Sequence, residues 1–179
     1  RKFTDILTGV LTSVLVTMLV PVLSLNYVEK KAKEFVLNFM QIFQLGMLFL
    51  SFVIALFTST SLSFVRIFFD KGMISENMLQ EISRLTVFYS WSTLAVFIYL
   101  IFGMALLSSN KSKKYFIWGV MAQITSISMN FIFINSIGIY IFPISLLVSH
   151  FIMGTIMSLN FPYKSKVLAK VFFKYILIL

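Results

Sequence analysis

The sequence predicts an all-α, polytopic transmembrane helical bundle, and three observations predict it. Charged residues make up 12% and hydrophobic residues 59% of the 179 positions, whereas soluble domains carry about 25% charged residues. Five apolar stretches reach the roughly 20 residues that a helix needs to cross hydrocarbon: Ile6 to Leu25, Phe35 to Phe57, Met78 to Leu107, Tyr115 to Phe133 and Ile139 to Leu159. The lysines fall between these stretches rather than within them. Strands of a closed barrel would alternate apolar and polar residues over about ten positions, and no such alternation is present.

The net charge of +9 is explained by topology better than by nucleic acid. Lys30, Lys31 and Lys33 follow the first span, Lys111, Lys113 and Lys114 follow the third, and Lys164, Lys166, Lys170 and Lys174 follow the fifth. If all five helices cross, these groups share one side. The positive-inside rule then places residues 29–34, 108–114 and 163–174 in the cytoplasm. Anionic lipid headgroups are natural partners for such turns. With no long polar stretch, residues 1–179 read as a single membrane-embedded unit. The chain opens at Arg1 and closes on the apolar run Val171 to Leu179, so it is expected to be a piece of a longer protein with that run beginning another helix.

The first span carries Asp5, Thr8 and Thr12 at spacings of three and four, beside Gly9, Ser13, Thr17 and Pro21. These spacings put each row on one helix face. Such a face serves equally as a small-residue packing surface or as the wall of a water-filled cavity. Asp5 and the nearby Lys2 point more strongly to a cavity or a partner, because ionisable residues near a span seldom face lipid.

The second span is expected to open with Asn38, Gln41 and Gln44 near the interface and to fray through Thr58 to Ser61. The aromatic segment Phe64 to Gly72 that follows reads as a short interfacial helix. Asn77, with Gln80 three residues later, reads as the N-cap of the third span. Glu81 and Arg84 stand one turn apart at that helix mouth and can pair. Ser83, Thr86, Ser90 and Thr93 continue as a polar line through the apolar helix.

In the fourth span Gly119, Gln123, Ser126 and Asn130 form a stripe. The amides of Gln123 and Asn130 need partners, because an unsatisfied polar group in hydrocarbon costs several kcal/mol. A hydrogen bond to another helix and a substrate-facing role both meet that need. In the fifth span His150 is the chain's one histidine; packing or an interhelical hydrogen bond accounts for it more readily than a metal or a proton relay. There is no cysteine, no phosphate-cradling glycine loop, no HExxH and no nucleophile elbow. Neither an enzyme nor a bound cofactor or metal is expected.

The order of these features resembles the C-terminal half of the MurJ/MviN-type lipid II flippases, within the multidrug/oligosaccharidyl-lipid/polysaccharide exporter superfamily. The resemblance rests on Leu7 to Ser24 with its Pro-x-Leu-Ser ending, on Val28 to Phe35, on FVRIFFDKG (Phe64 to Gly72), and on Met129 to Ile134 with Gly138. It implies that the five spans are helices eight to twelve of a fourteen-helix transporter in the bacterial cytoplasmic membrane. It also implies cytoplasmic turns after the first, third and fifth spans, the side that the lysines select independently. The family's substrate is a lipid-linked, pyrophosphate-bearing saccharide held in a cationic cavity between two lobes, so an N-terminal lobe of the same chain is an implied partner. Lys2 matches a basic family position at the start of helix eight, with Asp5 at the acidic position after it. The substrate-cavity candidates are therefore Lys2, Asp5, Thr8, Thr12, Ser90, Gln123 and Asn130. An exporter of another lipid-linked saccharide unit and a non-transporting scaffold of envelope assembly remain as alternatives.

Overall fold

The computed structural model describes residues 9–10, 12–69 and 74–163, and among them every regular element is helical. A π turn, Leu15–Leu19, leads into α1 (Val20–Val28); α2 (Ala32–Phe69), α3 (Glu76–Ser108), α4 (Ser112–Ile137) and α5 (Ile141–Leu159) follow. Three helical runs are long and apolar enough to cross a membrane: Ala32–Phe69, Glu76–Ser108 and Ser112–Leu159. The third doubles back on itself at the 3-10 turn Gly138–Tyr140, giving the antiparallel limbs α4 and α5. Thr12–Val28 is a shorter apolar helix.

Two of the turns that reverse the chain are built alike. Lys30 and Asn110 both have φ of 57°, the left-handed conformation that closes many helices. In the first turn Lys30 N donates to the Tyr27 carbonyl (3.1 Å) and Lys31 N to the Asn26 carbonyl (2.9 Å). In the second, Asn110 N donates to Leu107 (3.3 Å) and Lys111 N to Leu106 (3.0 Å). Each is a Schellman closure, which satisfies carbonyls that the helix end leaves unpaired. Asparagine tolerates this backbone; lysine does so at a cost of about 1 kcal/mol. Between α4 and α5 Gly138 has φ of 66° and ψ of −147°, a region essentially reserved for glycine.

α3 is the axis of the bundle. Its residues from Leu94 to Leu106 are buried almost without interruption, with α2 antiparallel on one side and α5 parallel on the other. Phe39, Phe43, Phe97, Phe102 and Phe161 form the aromatic centre, with ring centroids between 4.8 and 6.3 Å apart. Gly46 lets the Phe97 ring lie against α2, and Gly154 lets α5 approach the α3 backbone at Tyr99. α4 is peripheral, with Ala122 and Ser126 its two buried residues.

Contacts between the helix ends sort the turns into two poles. Tyr27 and Phe35 meet Tyr163 at 6.2 and 5.3 Å between centroids. Lys111 Nζ donates to the Asn160 carbonyl (3.1 Å) and Lys114 Nζ to Asn160 Oδ1 (2.8 Å). Burial lowers the Lys111 pKa, and the neighbouring Lys114 charge lowers it further. The lysine-bearing turns around residues 30 and 111 and the end of α5 therefore occupy one pole. The end of α2, the start of α3 and the Gly138 turn occupy the other, where Arg66 pairs with Glu76 and Tyr140 meets Glu81.

Two boundary expectations are corrected. Thr58 to Ser61 do not fray: α2 continues unbroken to Phe69. Ser59 and Thr60 donate to carbonyls one turn back at 2.8 and 2.7 Å, and Ser61 accepts a 2.8 Å bond from Ser83 of α3. The segment expected to lie apart as an interfacial helix is thus a direct extension of α2 as far as Phe69, and residues 70–73 lie outside the described residues. At 1.5 Å per residue the 38 residues of α2 run for about 57 Å, well beyond a hydrocarbon core of about 30 Å. The N-cap of α3 is Ser75, whose side chain accepts from Met78 N at 3.4 Å, not Asn77; serine is as strong an N-cap former as asparagine.

Candidate functional site

Four of the candidate residues lie in the first span or just before it. Lys2, Asp5 and Thr8 lie outside the described residues, and Thr12 is half-buried. Gly9, Ser13, Thr17 and Pro21 are all exposed and form an uncovered face on this helix. Ser13 Oγ donates to the Gly9 carbonyl (2.9 Å) and Thr17 Oγ1 to the Ser13 carbonyl (2.7 Å). Pro21 has no N–H to offer the Thr17 carbonyl, and the helix widens into the π turn Leu15–Leu19 just before it. Single π turns inside α-helices occur frequently at functional sites. The polar face and the π turn therefore coincide.

The line of hydroxyls on α3 has a different role. Thr86 donates to the Ile82 carbonyl, Ser90 to Thr86 and Thr93 to Tyr89, at 2.8, 2.8 and 3.1 Å. Ser90 is 4% exposed and Thr93 1%. These side chains satisfy themselves on their own helix and let its neighbours pack closely. Ser90, expected on a cavity wall, sits instead inside the helix packing.

The stripe on α4 divides. Ser145 of α5 donates to Asn130 Oδ1 (2.7 Å), and its oxygen lies 3.2 Å from Ser126 Oγ. These three residues join α4 to α5. Gly119 faces the Tyr99 hydroxyl, which a Cβ would meet at 2.9 Å. Gln123 is exposed and has no hydrogen-bond partner among the described residues. Below it an open groove of about 290 Å³ is lined by Ile127, Asn130, Phe131, Ile134 and Phe142. The first span packs against α2 and α3, whereas α4 packs mainly against α5. Among the described residues, the candidates Thr12, Ser90, Gln123 and Asn130 thus lie on three different helices.

At the pole away from the lysines, the expected pair forms: Arg84 Nη1 lies 3.7 Å from Glu81 Oε1. The Tyr140 hydroxyl also donates to Glu81. This link ties the start of α5 to α3. Its 59-residue separation leaves no periodic signal by which sequence spacing could reveal it. The same is true of Asn160, the acceptor for Lys111 and Lys114. His150 is 5% exposed; its Nδ1 lies 3.0 Å from the Leu146 carbonyl, and its ring meets Tyr99 edge-on at 5.0 Å. Among the described residues no group of three His, Asp or Glu side chains is placed to hold a metal.

No family model, curated protein or solved structure matches this chain.

Proposed function

We propose that the chain is part of a flippase or exporter that moves a lipid-linked, polyprenyl pyrophosphate saccharide, such as the peptidoglycan precursor lipid II, across the bacterial cytoplasmic membrane by alternating access. The observation that carries this reading is the first span, where a π turn coincides with an uncovered face of Gly9, Ser13, Thr17 and Pro21. A span wholly surrounded by lipid gains nothing from such a face, whereas a cavity shared with an opposing lobe would be lined by it. Lys2 and Asp5 precede that face in sequence, and a cation there would meet the pyrophosphate. The common pole of the lysine-bearing turns supports a cytoplasmic side from which an anionic headgroup is collected. In this reading the protein makes and breaks no covalent bond. Its work is differential binding of one substrate in two conformations.

A non-transporting scaffold is the second reading. It is favoured by the hydroxyls of α3, which serve packing, and by the Ser126, Ser145 and Asn130 bonds between α4 and α5.

The test is movement of a fluorescent lipid-linked saccharide across vesicles that hold the full-length protein. Ser13→Leu combined with Thr17→Leu is expected to slow movement about tenfold, equivalent to about 1.4 kcal/mol, while insertion and thermal unfolding stay unchanged. Lys2→Ala is expected to reduce it as well. A wild-type protein that leaves the probe in its original leaflet would overturn the flippase reading in favour of the scaffold. Transport unaffected by the double substitution would remove the first span from the cavity.

A further inference from the structure

We propose that the lysine-bearing pole carries a binding site for the phosphate of a lipid headgroup, formed by Lys111 and Lys114 at the end of α5 with the buried amide of Asn26 as a third donor. The proposal needs only that this pole meets one leaflet, so it holds whether the protein is a flippase or a scaffold.

The two lysines are brought together on one residue. Lys111 Nζ lies 3.1 Å from the Asn160 carbonyl oxygen and Lys114 Nζ 2.8 Å from Asn160 Oδ1. An ammonium has three donors, so each keeps donors that Asn160 does not use. The carbonyl end of α5 carries about half a negative charge, which offsets only part of two full positive ones. Among the described residues no carboxylate pairs with either lysine; Glu29 and Glu34, at the same pole, lie against Lys31 at 2.7 and 4.0 Å. The result is an excess of positive charge held in place by hydrogen bonds, and phosphate oxygens meet it with charge-assisted bonds.

Asn26 points to the same ligand independently. It is 6% exposed, and its Nδ2 has no hydrogen-bond partner among the described residues, a costly condition for a buried donor. Leu19, Leu23 and Asn26 are buried at spacings of four and three, so the amide shares the inward face of its helix. Ser108 Oγ donates to the Val20 carbonyl at 3.4 Å, which sets the last residue of α3 level with Val20. Both helices end at this pole. Asn26, six residues beyond Val20, therefore lies about 9 Å farther along, level with the turn that carries Lys111.

Depth favours a lipid over free phosphate. Tyr27 and Tyr163 stand at this pole with ring centroids 6.2 Å apart, and the half-buried Trp118 is one turn on from Lys114. Tyrosine and tryptophan mark the headgroup level of a bilayer. An anionic phospholipid and a lipid-linked diphosphate present the same phosphate chemistry there.

The test uses the full-length protein in neutral detergent at about 0.15 M salt, where charges more than about 8 Å apart are screened. Thermal unfolding is followed while phosphatidylglycerol, a polyprenyl diphosphate, phosphatidylcholine or inorganic phosphate is added, since a ligand of the folded state raises Tm. The two anionic lipids are expected to raise it, and the tighter of them identifies the source; phosphatidylcholine and inorganic phosphate are not. Lys111→Gln combined with Lys114→Gln is expected to weaken binding about thirtyfold. Lys33→Gln combined with Lys113→Gln removes the same charge from exposed positions of this pole and should change binding less than about threefold. Asn26→Leu removes the unpartnered donor, so it is expected to raise Tm without lipid and yet weaken lipid binding about fivefold. An asparagine that served packing alone would not do both. Equal losses from the two lysine pairs, binding unchanged by the first pair, or inorganic phosphate as effective as the lipids would each overturn the proposal. A protein that binds the lipids in this way but moves no probe between leaflets would uphold the site while overturning the flippase reading.

Discussion

Replacing Gly154 by leucine is expected to destabilise the bundle by about 3 kcal/mol, the upper end of the usual cost of overfilling a close-packed interior. A Cβ at this position would stand 3.0 Å from Ile98 Cγ2, 3.1 Å from the Tyr99 nitrogen and 3.2 Å from the Tyr99 Cα. Two of those three atoms belong to the α3 backbone and cannot rotate away. α5 would have to move outward as a unit, loosening the contacts it makes with the most buried helix of the fold. Small residues permit such approaches in membranes, where helices associate through packing rather than through exclusion of water. Gly154→Ala requires a shift of only a few tenths of an ångström, so its cost should be about 1 kcal/mol. Reversible unfolding of the full-length protein in mixed micelles measures both values. An equal and negligible effect of alanine and leucine would show that α3 and α5 do not approach as described.

Phe102→Ala is expected to cost about 2 to 3 kcal/mol, less than the same change in many soluble cores. Phe102 is 1% exposed and meets Phe39, Phe43 and Phe161 at 5.2, 6.1 and 6.2 Å between ring centroids. In water, truncation forfeits both the transfer of the ring out of solvent and the packing around it. In a bilayer the separated helices still hold the ring in hydrocarbon, so the transfer component vanishes and the cavity component remains. A void of roughly 100 Å³ at about 24 cal/mol per Å³ gives about 2.4 kcal/mol. A loss near 5 kcal/mol in the same unfolding experiment would mean that the ring moves into water on unfolding.

These magnitudes explain what could be read from the chain. Long apolar runs are read reliably because crossing hydrocarbon demands about 20 of them in succession. Five stretches are expected from that demand; the structure has three helical runs long and apolar enough to cross, Ala32–Phe69, Glu76–Ser108 and Ser112–Leu159, and a shorter apolar helix, Thr12–Val28. Helix ends are read less well because a polar residue ends a span without ending a helix. At Thr58 to Ser61 the hydroxyls bond within α2 and to Ser83, so α2 continues to Phe69. Gly138 stands between the fourth and fifth stretches, and its backbone conformation there excludes other residues.

The candidate site separates on the same physical ground. Serine and threonine donate to the carbonyl one turn back, so a stripe of them, as on α3, need not line anything. An amide has more donors and acceptors than one carbonyl satisfies. Gln123 and Asn130 are therefore the more informative members of the polar lines, and one of them did prove to join two helices. Tyr140 with Glu81 and Asn160 with Lys111 and Lys114 were not legible, since only folding brings together residues so far apart in the chain.

The account rests on a bundle that crosses the membrane with its lysine-bearing pole in the cytoplasm. Two single-cysteine variants of the full-length protein, Ser112→Cys and Asn135→Cys, measure this most directly when an impermeant maleimide is added to intact cells and then to inside-out vesicles. Both positions are exposed and lie at opposite ends of α4. The account predicts that Asn135→Cys labels in intact cells and Ser112→Cys labels in inside-out vesicles alone. Labelling of both from the same side, or the reverse assignment, would contradict it.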